Sequence, residues 1–161
     1  MNKRFKITKL GYDKLKDDLT RLIEVERASI SKAIGEAIAL GDLSENQEYS
    51  SMKEKQEVVE TKISAVNAKL SNAEIVDVRN CGGDYVDFGA IVCLVDEDAG
   101  REIRYQLLSE CEVDPKRGII SIESPIGVAL VGKEKDEIVE IKTPGGIKTY
   151  RIVDIEWGKL L

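Results

Sequence analysis

From Thr8, which fits an N-cap, the residues Tyr12, Leu15, Leu19, Leu22, Ile30, Ile34 and Ala37 recur at the three-and-four spacing of a helix seam, with Glu26 as one polar interruption. A second run, Met52, Gln56, Val59, Ile63, Val66 and Leu70, keeps the spacing 4-3-4-3-4. Each run carries one apolar stripe. The segment between them is short and contains Gly41, so the two helices are expected to fold back on each other as an antiparallel hairpin. At 1.5 Å per residue, helices of roughly 25–30 residues would extend about 40–45 Å, a rod and not a globule.

Beyond Leu70 the period changes. AEIVDV, FGAIVCLVDE, REIRYQLLS and GIISIES are β-rich runs separated by Gly and Asp turns, and KDEIVEIKTPGGIKTYRIVDIEW reads as a hairpin turning at Pro144-Gly145-Gly146. Between them SPIGVALVGK predicts a short helix closed by Gly132. The chain is therefore expected to be α+β in two unlike parts. Residues 1–75 form a long antiparallel coiled-coil hairpin with an acidic tip near residues 41–49, and residues 76–161 form a small α+β sheet domain.

Composition supports a two-part chain: among 161 residues, 34% are charged, which is rich for a compact globule and ordinary for an exposed coiled coil. No apolar run is long enough to cross a membrane, and the basic N-terminus has no signal-peptide core behind it, so a cytoplasmic protein is expected. The three cysteines, Cys81, Cys93 and Cys111, are widely spaced and odd in number, and read as reduced apolar fillers. With no His in the chain, Ser–His or Cys–His chemistry is excluded, and any catalysis must run through carboxylates, lysines or a metal. Residues 1–75 hold 13 basic and 13 acidic side chains, against 11 and 17 in residues 76–161, so the net charge of −6 falls on the second half. That balance argues against a direct reader of duplex DNA.

The charge is most uneven in GDLSENQEY, Gly41 to Tyr49. From Ala33 to Met52 there are four acidic residues and no Lys or Arg. One reading of Asp42 and Glu45 is a capping box, D-x-x-E, at the start of the second helix, where carboxylates also suit the helix dipole. The other is that the hairpin delivers carboxylates into a partner's site. Two oxygen ligands are too few to hold Mg²⁺ tightly, but a pair could complete a shared site.

GDLSENQEY resembles the G-D-L-x-E-N-x-E-Y tip motif of the Gre family of bacterial transcription elongation and transcript cleavage factors. The flanking AIGEA and KEKQ are similar to the family's coiled coil, and AKLSNAEIVDV, SPIGVALVGKEKDEIVEIKTPGG and YRIVDIEW to its C-terminal domain, which has an FKBP-like fold. The resemblance covers nearly the whole chain. It implies a factor that is not an enzyme by itself. Such factors bind RNA polymerase, insert the coiled coil through its secondary channel, and activate the polymerase's own cleavage of the 3′ end of backtracked RNA. By position, Asp42 and Glu45 would serve the catalytic step as ligands of a Mg²⁺ shared with the polymerase active site, in two-metal phosphodiester hydrolysis. No cofactor is implied for the isolated chain. The expected partners are RNA polymerase and the backtracked RNA 3′ end, with DNA met only in the elongation complex, no membrane, and a monomeric state.

Further residues follow from the same resemblance. Tyr49 would position the RNA end or pack as an aromatic lid over the bend. Asn46 is expected to bond the local backbone. Lys53 would contact RNA phosphate, or simply occupy a solvated helix face. Ser124 and Pro125 match the SP dipeptide that docks on the polymerase rim, or form an ordinary turn with Pro at the first helical position. Ile38 and Leu40 depart from the basic residues or His common at these positions, so contact with the polymerase channel wall replaces contact with phosphate as the expectation. Together with the few basic residues on the helices, this favours short backtracked ends over long extruded RNA. Two alternatives carry other outcomes: a channel binder that inhibits without promoting cleavage, and a prolyl isomerase, for which the candidate aromatics are Phe88, Tyr85, Tyr105, Tyr150 and Trp157.

Overall fold

The computed structural model describes residues 4–41 and 46–158. They form two compact units, one of residues 12–73 and the other of residues 4–11 with 74–158. Residues 4–11, expected with the hairpin part, belong to the sheet unit. The reason is a pairing remote in sequence: strand β1 (Phe5–Ile7) bonds β2 (Ala73–Ile75), the Ile7 carbonyl accepts from Val76 N at 2.8 Å, and Ile7 is fully buried.

The first helical stretch has three parts: α1 (Lys9–Arg21), a π-helical turn (Leu22–Arg27) and α2 (Ala28–Ala39). Thr8 caps its start as expected, its hydroxyl accepting from Gly11 N at 3.2 Å. Thr8 N also donates to Glu112 Oε1 at 3.2 Å, and the Thr8 hydroxyl donates to the same oxygen. The other Glu112 oxygen accepts from Ser109 N and Oγ, which closes a capping box at Ser109 within the same unit.

Helix α3 (Gln47–Asn72) buries the stripe its spacing predicts: Val59 and Ile63 are buried, and Met52, Gln56, Val66 and Leu70 are half-buried between exposed neighbours. Val59 and Ile63 meet Leu22 in one cluster flanked by Leu19, Ile30 and Val66. Arg27 bonds Glu60 through Nε and Nη2 at 2.7 and 2.8 Å, while Asn46 reaches Ala37. Residue numbers rise on one side as they fall on the other, so α3 runs antiparallel to the stretch it packs on.

The π-turn has a cause in the pattern. Leu15, Leu19 and Leu22 follow a regular seam, but the next residue of the packed stripe is Ile30, eight positions after Leu22 instead of seven. A straight α-helix would rotate the distal stripe off the α3 side by one residue, and a π-turn absorbs one extra residue and keeps the stripe in phase. Val25, inside the turn, is 60% exposed.

The second unit is a curled five-stranded sheet in the order β5-β4-β3-β7-β6, from strands β3 (Ile91–Asp96), β4 (Glu102–Leu108), β5 (Ile119–Ser121), β6 (Ile138–Thr143) and β7 (Gly146–Glu156). Only β4 and β5 pair in parallel. The β3–β7 register shifts between Cys93 and Leu94, leaving Val153 as an extra residue on β7, and such a bulge increases the bend of the sheet. The β6–β7 hairpin turns at Pro144-Gly145, two of the three residues predicted for the turn, while the third, Gly146, opens β7 paired to Thr143. One face packs Val92, Leu94, Leu107 and Ile152 against Leu130 of the short helix α4 (Pro125–Leu130), which is followed by Gly132 at positive φ as expected. Among the described residues, no helix is long and apolar enough to cross a membrane.

Candidate functional site

The ends of α2 and α3 frame the acidic motif. Asp42 and Glu45 themselves lie outside the described residues. At the end of α2, Leu40 N donates to the Ala37 carbonyl at 3.2 Å and Gly41 N to the Ile38 carbonyl at 3.3 Å. Gly41 has φ +127°, a conformation disfavoured for residues with a Cβ. Ile38 and Leu40 are 50% and 71% exposed, so this end of the helix presents apolar surface.

The N-cap of α3 is Asn46, with extended backbone and a side-chain oxygen that accepts from Tyr49 N at 3.1 Å. The cap position that D-x-x-E spacing gives to Asp42 is thus taken by a residue four positions later. Asp and Asn cap equally well, so local sequence does not choose between them. The choice is made by a second bond: Asn46 Nδ2 donates to the Ala37 carbonyl at 2.7 Å, tying the start of α3 to the last turn of α2. Glu48 stands in the first turn of α3, where its charge suits the dipole.

Tyr49 is half-buried one turn into α3. Lys53 follows one turn later, exposed, with Nζ bonded to Gln56 Oε1 at 3.0 Å, the arrangement of a solvated face. Asn46, Tyr49 and Lys53 therefore share one end of the helical unit. Ser124 and Pro125 belong to the other unit, at the start of α4. The Ser124 hydroxyl accepts from Gly127 N at 3.1 Å and donates to the Ser121 carbonyl at 2.6 Å, and Pro125 is exposed at the first helical position. A Cβ on Gly127 would lie 2.3 Å from the Ser121 carbonyl oxygen, so α4 starts hard against the strand before it. Ser124 is thus a structural cap, whatever else it contacts.

Of the aromatic side chains named for a peptide-isomerising cleft, three share one cluster. Phe88 and Tyr150 are buried in separate clusters, Tyr105 and Trp157 pack on the cluster of Tyr150, and Tyr85 is 57% exposed.

Comparison with known proteins also divides the chain in two, with residues 5–11 placed in the N-terminal part. The model of the N-terminal region of transcription elongation factors matches residues 5–75, and the GreA/GreB C-terminal model matches residues 81–157. The chain is 46% identical over 151 residues to transcription elongation factor GreA of Phenylobacterium zucineum, covering 94% of this chain and 96% of that one. It is 43% identical over 161 residues to GreA of Rickettsia bellii, covering 100% and 99%. GreA factor homolog 1 of Thermus thermophilus superposes with a TM-score of 0.44 at 27% identity, over 96% of this chain and 99% of that one, a likeness too loose to add to the reading. With relatives this similar over its full length, the chain belongs to the GreA/GreB family and is a transcription elongation factor of the GreA type.

Proposed function

We propose that the helical unit acts as an antiparallel coiled-coil hairpin that enters the secondary channel of RNA polymerase. There it stimulates the polymerase's own endonucleolytic cleavage of the 3′ end of backtracked RNA and so rescues arrested complexes. The chain acts in the cytoplasm as a monomer and activates a catalytic site that belongs to the polymerase. The observation that carries the reading is the pairing of Asn46 with Ala37. The two helix ends are held together, and the four residues strung between them, 42–45, contain the motif's Asp42 and Glu45.

Hard carboxylate oxygens suit Mg²⁺, and two of them from one chain leave room for a partner's ligands, as a shared ion requires. When bound, such an ion lowers the pKa of the attacking water and offsets charge developing on the phosphodiester. Asp42 and Glu45 supply negative charge and oxygen donors at the end of the hairpin. Tyr49 and Lys53 extend that end towards the RNA, and the exposed Ile38 and Leu40 meet the channel wall. The sheet unit is read as an FKBP-like domain that docks on the channel rim, with Pro125 as its exposed point beside the Ser124 cap. A channel binder that inhibits without cleavage is not favoured, since relatives 43–46% identical are elongation factors by name.

The test is RNA shortening in halted, backtracked complexes. Asp42→Asn should retain polymerase affinity and melting temperature while cleavage stimulation falls at least about tenfold, equivalent to about 1.4 kcal/mol of transition-state stabilisation. Full stimulation by Asp42→Asn at low Mg²⁺ would sink the mechanism.

A further inference from the structure

A helix leaves carbonyls without intrahelical partners at its end and N–H groups without partners at its start. At the junction of α2 and α3 one side chain reaches both ends, although the carbonyl it meets on α2, that of Ala37, also accepts from Leu40 N at 3.2 Å. Asn46 Oδ1 accepts from Tyr49 N at 3.1 Å, and Nδ2 donates to the Ala37 carbonyl at 2.7 Å. Ala37 is 1% exposed, the most buried position of α2, so water has poor access to replace that donor.

The two bonds require opposite polarity from the two ends of one short side chain. A carboxylate offers no donor, and a hydroxyl has a single oxygen to reach two groups on different helices. Asn is the smallest side chain with an acceptor and a donor on separate atoms. Capping alone does not require it, because Asp and Ser cap a helix as well as Asn does.

We propose that Asn46 is a positioning residue for the acidic connection. By bonding the last turn of α2 to the first turn of α3 it fixes the span from which Asp42 and Glu45 are presented. This rests on the reading of those carboxylates as the functional groups of the factor. The requirement for a fixed span is general: displacement of a reacting geometry by about 1 Å can lower a rate about 100-fold.

The experiment uses the full chain with Asn46→Asp, Asn46→Ser and Asn46→Ala beside Asp42→Asn. The first two keep a cap and lose the donor; the third loses both. Measurements are hydrogen exchange at the Tyr49 amide, polymerase affinity, cleavage rate at saturating factor, and the Mg²⁺ concentration at half-maximal rate. Asn46→Asp and Asn46→Ser should keep Tyr49 protection and polymerase affinity, yet cleave at least about fivefold more slowly at saturation and need more Mg²⁺. Asn46→Ala should show the same loss with Tyr49 protection reduced.

Wild-type cleavage by Asn46→Ser with Tyr49 still protected would overturn the proposal. A defect confined to Asn46→Asp would be charge repulsion and would overturn it equally, as would a loss in both cap-retaining variants that tracks loss of Tyr49 protection. The Asp42→Asn arm separates the two ideas. If Asp42→Asn is impaired while Asn46→Ser is not, positioning alone fails; if Asp42→Asn is fully active, the reading of the carboxylates fails.

Discussion

Ser124→Ala separates folding from docking at the start of α4. The substitution removes the hydroxyl that accepts from Gly127 N at 3.1 Å and donates to the Ser121 carbonyl at 2.6 Å. The Ser121 carbonyl keeps its bond from Ser124 N at 3.0 Å, so only Gly127 N loses its partner. Gly127 is buried, and its close approach to Ser121 leaves little room for a water to substitute. Loss of an N-cap destabilises by about 1 kcal/mol, and a buried N–H left unpaired by about 1–3 kcal/mol; the two describe the same event, so the expected loss is about 1–2 kcal/mol. For a domain of this size, that lowers Tm by roughly 5–15 °C. Thermal unfolding of Ser124→Ala, Ser124→Asp and Pro125→Ala, each with polymerase binding measured below its transition, is the assay. Ser124→Asp restores the cap and should melt near wild type, and Pro125→Ala, at an exposed first helical position, should lose less than about 1 kcal/mol. Affinity lost by a variant that melts normally belongs to docking. A Ser124→Ala protein melting within about 1 °C of wild type would refute the capping argument and return Ser124 to the surface.

Deleting Val25 should convert the π-turn to regular α-helix and restore a seven-residue step from Leu22 to the next stripe residue, Ile30; helix content by circular dichroism and Tm should be unchanged or higher, and a loss above about 2 kcal/mol would contradict the phase argument. Arg79 bonds Asp77 through its guanidinium, Nη2 at 2.7 Å, and through its backbone N–H at 2.9 Å, and holds that carboxyl at about 2, below the ordinary 3.8. Because the folded-state value is depressed, the pair's contribution is present above the ordinary carboxylate range and disappears as pH falls from about 4 towards 2. Arg79→Ala should return the Asp77 midpoint, followed by carboxyl NMR shifts, towards 3.8, and an unmoved midpoint would exclude Arg79 as the cause.

The helical stripes and the strand runs were legible because their information is local. The 4-3-4-3-4 spacing of α3 names the residues that pack, and the Pro144-Gly145-Gly146 turn ends in Gly146 at φ +121°, which favours glycine. The π-turn was also written in the sequence, as the eight-residue step from Leu22 to Ile30, but reading Glu26 as a polar interruption hides the change of phase. The start of α3 was not legible. Asp42, Ser44 and Asn46 are all acceptable caps, and what selects Asn46 is a bond to Ala37, nine residues away on another helix. The β1–β2 pairing and the bond from Thr8 to Glu112, 104 residues apart, belong to tertiary structure and leave no periodic trace.

The position of the cap bears on why the acidic excess exists. Had Asp42 capped α3, with Glu45 completing the box, helix stability would account for both carboxylates. With Asn46 as the cap and Glu48 in the first turn, the positive end of α3 already has its acceptor and a favourable charge. The end of α2 carries the opposite partial charge and has no basic residue in its last turn, although Lys or Arg there would stabilise it. Asp42 and Glu45 therefore follow a negative helix end, within twenty residues that contain four carboxylates and no Lys or Arg. Like charges gathered in a short segment repel one another, and a basic residue among them relieves the repulsion. A lysine placed there would also compete for the carboxylates with any cation brought by a partner. A segment free of basic residues would leave both carboxylates to that cation, which is what the proposed function asks of it.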